Sequence, residues 1–271
     1  MSRVCRMNLK KVQLFLGIFI VVFLIVIALF GPYLTSADPI AISNATFSPP
    51  SSQHIFGTDA LGRDIFARVL YGARISLLVS LLAVAIGVSA GTFLGLVSGF
   101  FGGIVDKVLV LMMDAMYAFP GLLLAITFTA FLGQGIKNVA IAIAIAFIPT
   151  YFRLVRNQVL SLKREPFVEA AQVFKVPLWK IIFIYILLPI IPTLAGILAL
   201  SIGDAILTEA GLSYLGLGVP PPTPDWGADL STGQHYILQD YWWCFVFSGL
   251  AIFLAVLGFA LIGDYLSEEK L

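Results

Sequence analysis

The chain has 271 residues, 60% of them hydrophobic and only 11% charged, and its mean hydropathy is +1.01. Soluble domains carry about 25% charged residues, so this composition excludes an ordinary soluble protein and indicates a membrane protein. A formal net charge of +1 argues against nucleic-acid binding, which normally requires a concentrated basic surface. The two cysteines, Cys5 and Cys244, lack the spacing of a metal-binding pair, and we expect neither a disulfide nor a metal site.

Six apolar runs are candidates for helices that cross a hydrocarbon core about 30 Å thick. They cover residues 12–30, 75–98, 108–131, 139–152, 181–207 and 243–262. The fourth run is short but can be extended at either end, and Pro189 and Pro192 interrupt the fifth. The first run is too long for a signal-peptide core and lacks a cleavage site, so we expect a retained signal anchor. The sequence therefore predicts an all-α membrane protein with about six transmembrane helices.

Lysine and arginine positions predict the orientation of these helices. Of the 16 basic residues, twelve fall in the leader, in the loop 153–180, or at Lys107 and Lys270, and four fall on the opposite side. Because basic residues accumulate in cytoplasmic loops, we expect both termini and the loop 153–180 in the cytoplasm. The chain is then divided into a leader (1–11), a first transmembrane helix (12–31), an outer segment (32–74), a core (75–266) with five transmembrane helices and a second outer segment (208–242), and a tail (267–271).

The two outer segments are too long to be simple turns. The first begins with proline-rich loop sequence and ends in a helical pattern over 64–76, which we expect at the membrane interface with Arg68 and Arg74 among the lipid headgroups. The second is rich in glycine and proline and closes with Tyr241-Trp242-Trp243, a pattern typical of an interfacial aromatic anchor. His54 and His235 lie in these segments, far from a second histidine or a cysteine, and are expected to be solvated rather than metal-binding.

The loop 153–180 predicts two short helices. Pro166 suits the first turn of a helix, and Pro177 begins a second helix that continues into the fifth span. Phe167, Ala170, Ala171 and Phe174 would form one face of the first helix, with Glu169 opposite. Two interpretations remain open from the residues alone: the helix docks onto a soluble partner, or it only caps the bundle.

Two further patterns lie within the apolar runs. Gly87, Gly91, Gly95 and Gly99 recur every four residues and predict a flat ridge that lets another helix approach closely. Ionisable groups at membrane depth usually face a cavity or pair with a partner, and three such groups occur here. Asp114 is expected to pair with Lys107 or an arginine, whereas Asp204 and Glu209 are candidates for a substrate path or for pairing.

The loop also resembles the Glu-Ala-Ala motif of ABC importer permeases. Glu169-Ala170-Ala171 is followed by Ile186-x-Leu188-Pro189, although Lys175 stands where that motif usually has glycine. Four more stretches, at 54–76, 106–120, 209–227 and 249–264, are similar to the second permease subunit of dipeptide, oligopeptide and nickel importers. These stretches occur in the same order as in that subfamily and extend from about residue 50 to residue 266.

The resemblance implies a type I ABC importer permease fold in the cell inner membrane. The implied partners are a sister permease, two nucleotide-binding ATPase subunits and an extracytoplasmic substrate-binding protein. ATP and magnesium would then bind to the partner subunits, and this chain would hold no cofactor. The implied interface with the ATPase consists of Glu165, Phe167, Glu169, Ala170, Ala171, Phe174 and Lys175. The implied outer-face motif consists of Gly57, Asp59, Gly62, Arg63 and Asp64.

Several alternatives remain open within this frame. The chain lacks a phosphate-binding loop and the sequence motifs of the common hydrolases, which disfavours a membrane-embedded enzyme. A secondary transporter or a channel would need no ATPase. The substrate would be a short peptide or, alternatively, nickel or a metal chelate, and the absence of a His, Cys or Met cluster in the predicted spans favours peptides.

Overall fold

The computed structural model describes residues 3–268, and the regular elements in that range are helices. In chain order they are α1 (Arg3–Leu34), α2 (Ile65–Phe101), α3 (Gly103–Tyr117), α4 (Gly121–Leu132), α5 (Ile136–Leu162), α6 (Pro166–Val173), α7 (Leu178–Lys180), α8 (Leu188–Tyr214), α9 (Trp226–Gln234) and α10 (Trp243–Glu268). A π-helical stretch, Ile181–Leu187, joins α7 to α8, and a 3₁₀ turn, Ile237–Gln239, follows α9. Side chains are described from Lys10 onward, except those of Pro32 and Glu268. The prediction for Cys5, and parts of those for the leader and tail, therefore lie outside the described residues.

Within the described range, five helices are long and apolar enough to cross a membrane, and a sixth span results if α3 and α4 count as one. The sequence predicted a single span over 108–131, and this prediction was wrong in detail. Helices α3 and α4 meet at an angle of 95°. Pro120 is responsible, because proline has no N–H to continue the helical hydrogen bonds and forces the preceding residue into an extended conformation. The predicted all-α class is confirmed, and the predicted number of about six spans agrees with the five or six candidates in the described range.

Helix α2 is one continuous helix of 37 residues, about 55 Å long at 1.5 Å per residue. The sequence instead predicts an interfacial helix over 64–76 and a span that begins at residue 75. No proline interrupts this stretch, and the helix runs unbroken through the predicted boundary. Asp64 caps its first turn by accepting a hydrogen bond from the Ala67 amide at 2.9 Å. The helix therefore connects the first outer segment directly to the opposite end of the bundle.

The glycine ridge of α2 packs against α5, which confirms the predicted packing role. A Cβ atom at Gly91 would lie 2.6 Å from the Tyr151 Cβ, closer than real Cβ contacts occur. At Gly95 the corresponding distance to the Val155 Cβ is 2.9 Å. The missing side chains thus allow the two helices to approach as closely as their backbones permit.

Helix α1 packs against α10 and is fixed to α2 by Arg74. The Arg74 guanidinium donates to the carbonyl oxygen of Ala28, and also to that of Leu29 at 2.8 Å. In an unbroken helix the amide of residue 32 would bond to the Ala28 carbonyl, but residue 32 is proline and has no N–H. Arg74 therefore supplies the donor that Pro32 lacks, rather than reaching only toward lipid headgroups as the sequence predicted.

The bundle has two ends, which different short helices cover. At the α6 end, α6 lies beside the C-termini of α2 and α5, where Lys163 donates to the Phe100 carbonyl oxygen. At the α9 end, α9 lies beside the first turns of α2, where Trp226 Nε1 donates to the Val69 carbonyl oxygen at 2.9 Å. The candidate functional residues divide between these two ends.

Candidate functional site

Helix α6 begins at Pro166 and ends at Val173, which confirms the predicted short helix in the loop 153–180. Its anchors are Val168 and Ala171, whose side chains are 0% and 5% exposed. They pack into an apolar cluster with residues of α2, α5 and the π-helical stretch, among them Val155, Val159 and Ile186. The sequence placed Ala171 on the docking face, and this was wrong, because the side chain faces the bundle.

The remaining predicted interface residues are exposed. Phe167 is 45% exposed and Phe174 is 82% exposed, which is unusual for phenylalanine. Glu165, Glu169, Ala170 and Lys175 are also exposed. Sequence reasoning missed Val173, which is 78% exposed beside Phe174, and the pair Leu178 and Trp179 on α7, at 49% and 58%. Together these residues leave an apolar surface that the described chain does not cover; we call it the α6 surface (Phe167, Val173, Phe174, Leu178, Trp179).

The turn after α6 keeps a defined geometry although it lacks the expected glycine. Lys175 has φ of +53°, in the left-handed region that favours glycine. The Val176 amide donates to the Ala171 carbonyl and the Lys175 amide donates to the Gln172 carbonyl, both at 3.0 Å. These two bonds form a Schellman motif, in which the residue past the helix end adopts positive φ. Lys175 therefore occupies the position of the usual glycine in the same backbone conformation.

The second predicted helix is confirmed as α7, which is preceded by Pro177 and continues into the long span. The π-helical stretch ends just before Pro189, whose missing N–H removes one α-helical hydrogen bond. A short turn therefore joins α6 to α7, and α7 continues into the span that ends in α8.

At the α9 end, the outer-face motif forms a closed turn before α2. The Asp59 carboxylate accepts from the Leu61 amide at 2.8 Å and from Arg63 Nε at 2.6 Å. His54 Nδ1 lies 2.9 Å from the Asp64 carboxylate, so His54 is paired rather than free in solvent as predicted. Gly57 and Gly62 adopt positive φ at close approaches to neighbouring backbone. His235 is exposed at the end of α9.

Arg68 connects the two outer segments. The sequence placed it among lipid headgroups, but its side chain is 5% exposed. Its Nε and Nη2 atoms donate to Asp229 Oδ1 at 2.9 and 2.6 Å, and Nη1 donates to the Pro39 carbonyl oxygen at 3.0 Å. Burial raises the pKa of the Asp229 carboxyl, and the Arg68 guanidinium acts in the opposite direction.

The sequence predicted that the three aromatic residues at 241–243 form one interfacial anchor, but they lie in different environments. Trp242 is 48% exposed, consistent with an interfacial position. Trp243 is buried and donates from Nε1 to the Thr58 carbonyl oxygen at 3.2 Å. Tyr241 stacks on Phe47 with ring centroids 4.2 Å apart. These contacts attach the first outer segment to the start of α10.

The structure does not bring the two path candidates together. Asp204 is exposed on α8, whereas Glu209 is 0% exposed and contacts Ser213. Asp114 pairs with Arg153 at 2.7 Å, which agrees with the predicted arginine partner. Sequence reasoning missed a groove of about 390 Å³ at the bend between α3 and α4, lined by Met116, Tyr117, Ala118, Phe119, Pro120, Gly121, Leu124, Ala146, Phe147 and Thr150. Its position beside the broken span makes it a further candidate for the path.

Comparison with known proteins identifies the family. Residues 91–268 match the model of the binding-protein-dependent transport system inner membrane component family. The chain belongs to this family. It is 42% identical over 263 residues to the dipeptide transport system permease protein of Alkalihalophilus pseudofirmus, covering 96% of this chain and 86% of the relative.

Two other relatives give a similar result. The probable D,D-dipeptide transport system permease protein of Escherichia coli K12 is 42% identical over 246 residues, which cover 90% of this chain and 82% of that protein. A glutathione transport system permease protein of Escherichia coli O6:K15:H31 is 43% identical over 252 residues, which cover 92% of this chain and 82% of that protein. The chain is therefore a multi-pass inner-membrane transport permease, as the resemblance implied.

Proposed function

We propose that this chain is one of two permease subunits in an ATP-driven importer of short peptides. The observation that carries the proposal is the α6 surface, a set of exposed apolar side chains on α6, the turn after it and α7, at one end of a membrane bundle. Exposed apolar patches of this kind mark interaction sites. Because the chain belongs to a family of binding-protein-dependent transport components, we infer that the partner at this surface is a nucleotide-binding ATPase subunit with an apolar groove.

The arrangement of α6 supports transmission of force from such a partner. Val168 and Ala171 attach α6 to the cluster that contains Ile186 and Ile190 of the long span. A tilt of α6 imposed by ATP-driven closure of two ATPase subunits would therefore move this span as a unit. The cavity between this chain and a sister permease would open alternately to the two sides. Both termini and the α6 end would be cytoplasmic, and the α9 end would receive the extracytoplasmic binding protein.

The substrate proposal depends on the relatives, whose names specify dipeptides, D,D-dipeptides and glutathione. Within the described residues, no group of three or more His, Cys, Asp or Glu side chains could hold a metal ion. The proposal is tested by uptake of a labelled dipeptide and of labelled nickel in cells that lack this subunit and in complemented cells. Restoration of peptide uptake alone is expected. Restoration of nickel uptake alone would contradict the peptide assignment.

Coupling is tested separately by Glu169→Lys. Glu169 is exposed beside the α6 surface, so charge reversal should leave the bundle folded while disturbing the contact with the ATPase. We expect the complex to hydrolyse ATP without transport, or to lose ATPase subunits. Asp38→Lys, which reverses an exposed carboxylate in the first outer segment, is the matched control for ATPase retention. Wild-type transport by Glu169→Lys would contradict the coupling assignment.

A further inference from the structure

Two buried carboxyl groups meet where α8 contacts the second outer segment. Glu209 of α8 and Asp225, which precedes α9, are both 0% exposed. Ser213 lies between them, with its Oγ 3.2 Å from Glu209 Oε1 and 3.0 Å from Asp225 Oδ2. Ser76 of α2 lies close to the Glu209 carboxyl. The cluster thus joins three elements of the fold.

The hydrogen bonds of this cluster require one proton more than two carboxylates and a serine provide. A serine hydroxyl carries a single hydrogen, so Ser213 can donate to Glu209 or to Asp225 but not to both. If both carboxyls were ionised, one of the two contacts would bring together two oxygens with no hydrogen between them. A proton on one carboxyl removes this conflict, because that carboxyl then donates to Ser213 and Ser213 donates to the other.

No cation in the described chain offers an alternative. Neither Glu209 nor Asp225 forms an ion pair with a described lysine, arginine or histidine. Asp229 interacts electrostatically with Asp225, but its ion-pair partner Arg68 is bound to Asp229 itself. Two adjacent buried carboxylates without a counterion would be strongly destabilised by desolvation and by mutual repulsion.

The geometry indicates which carboxyl holds the proton. Asp225 caps α9, a helix of nine residues, because its Oδ1 accepts from the Ala228 amide at 2.9 Å. Both this bond and the helix N-terminus stabilise the ionised form. Glu209 has no such donor, and its Oε2 atom is buried without a hydrogen-bond partner, as is the Ser76 Oγ atom. Glu209 is therefore the better site for the proton.

Two glycines allow the outer segment to close over this cluster. A Cβ atom at Gly218 would lie 1.8 Å from the Ser213 Oγ, and one at Gly227 would lie 2.8 Å from the Ser213 Cβ. Side chains at these positions would push the segment away from α8. The glycines thus explain why Ser213 is shielded from water on the side of the outer segment.

We propose that Glu209, Ser213 and Asp225 form a binding site for a single proton that attaches the second outer segment to α8. At neutral pH the proton resides on Glu209, which donates to Ser213, and Ser213 donates to the ionised Asp225. Loss of this proton at alkaline pH would leave two buried carboxylates sharing one hydrogen and would weaken the attachment. The site is independent of the substrate that the transporter carries.

Infrared spectroscopy of the purified complex at neutral pH tests this site directly. A protonated carboxyl absorbs in its own C=O region, separate from ionised carboxylates, and we expect such a band in the wild-type complex. Glu209→Gln should remove the band, because glutamine has no carboxyl group to protonate. Its amide N–H can still donate a hydrogen bond to Ser213. Asp240→Asn, which changes an exposed carboxylate in the same segment, should leave the band unchanged.

Thermal stability provides a second test. A proton bound only in the folded state makes stability fall as pH rises above about 4.3, the ordinary pKa of a glutamate in the unfolded chain, until the folded protein releases the proton as well. The melting temperature of the wild type and of Asp240→Asn should therefore fall as pH rises. The melting temperature of Glu209→Gln should depend less on pH.

Three outcomes would overturn the proposal. They are absence of the band in the wild type, persistence of the band in Glu209→Gln, and stability that requires sodium ions, which would indicate a bound cation instead. If Glu209→Gln fails to assemble, carboxyl-¹³C labelling of glutamate in the wild type replaces it. The band must then shift on labelling of glutamate and remain in place on labelling of aspartate.

Discussion

The charged pairs at the two ends of the bundle are buried to different degrees, more deeply at the α9 end than at the α6 end. At the α9 end, charged side chains bind to one another within the chain, as Arg68 binds Asp229 and Asp59 binds Arg63. At the α6 end, large apolar side chains such as Phe174 and Val173 are exposed, and only Val168 and Ala171 hold the helix in place. The α9 end thus buries its charged pairs within the chain, whereas the α6 surface is not covered by the described chain. This contrast indicates that the buried ion pairs of the α9 end contribute more to the stability of the chain than the exposed side chains of α6, which are available to a partner.

The largest expected effect is at the α9 end. Arg68→Met removes the guanidinium and leaves the buried Asp229 carboxyl without its partner, which typically costs about 3–5 kcal/mol. We expect a large decrease in the melting temperature of the purified complex, measured by circular dichroism.

Arg153→Met is the matched control for this comparison. It breaks the Arg153–Asp114 pair, whose side chains are 39% and 52% exposed, and exposed pairs contribute no more than about 1 kcal/mol. Equal decreases for the two variants would show that the α9 end has no special role in stability.

An intermediate effect is expected in the contact between α2 and α5, which extends between the two ends. Gly91→Ala places a Cβ atom 2.6 Å from that of Tyr151, so the helices must separate. Overpacking of this kind costs about 1–3 kcal/mol, which outweighs the gain of about 1 kcal/mol that alanine usually brings to a helix.

Gly203→Ala on α8 provides the comparison, because its Cβ would meet its nearest neighbour at an ordinary 3.5 Å. We expect Gly91→Ala to lower the melting temperature and Gly203→Ala to leave it unchanged or raise it. A similar response of both variants would contradict the packing role of the ridge.

The smallest effect is expected at the α6 end. Lys175→Gly relieves the positive φ, which costs a side chain about 1–2 kcal/mol, although glycine also makes the unfolded chain more disordered. A net gain on the order of 0.5 kcal/mol is expected, measured as slower proteolysis of the loop 153–180. Gln172→Gly, inside α6, should have the opposite effect, at about 1 kcal/mol. Faster proteolysis of Lys175→Gly would show that the lysine side chain itself holds the turn.

The sequence predicts an element well when residues close together in the chain determine that element. Apolar runs gave the spans, Pro166 and Pro177 gave the short helices of the loop, and the glycine spacing gave the α2 ridge. The effect of Pro120 is local as well, but the apolar run around it concealed the bend because both halves are hydrophobic.

The sequence could not predict contacts between distant segments. Arg68 and Asp229 are 161 residues apart, and nothing near either residue indicates that the two bind each other. The same holds for Glu209 and Asp225, whose meeting depends on how the second outer segment folds back over α8. Ala171 was misplaced because a one-residue difference in helical phase decides whether a side chain faces the bundle or a partner.

Photocrosslinking from the α6 surface in the assembled complex tests most directly whether this surface binds the ATPase subunit. A photoreactive phenylalanine analogue is placed at Phe174, which is 82% exposed. It is placed separately at Phe131, which is 85% exposed in the last turn of α4, close to the start of α5 and therefore far from α6. We predict a crosslink to the ATPase subunit from position 174 and none from position 131. No crosslink from position 174, or equal crosslinks from both positions, would contradict the account.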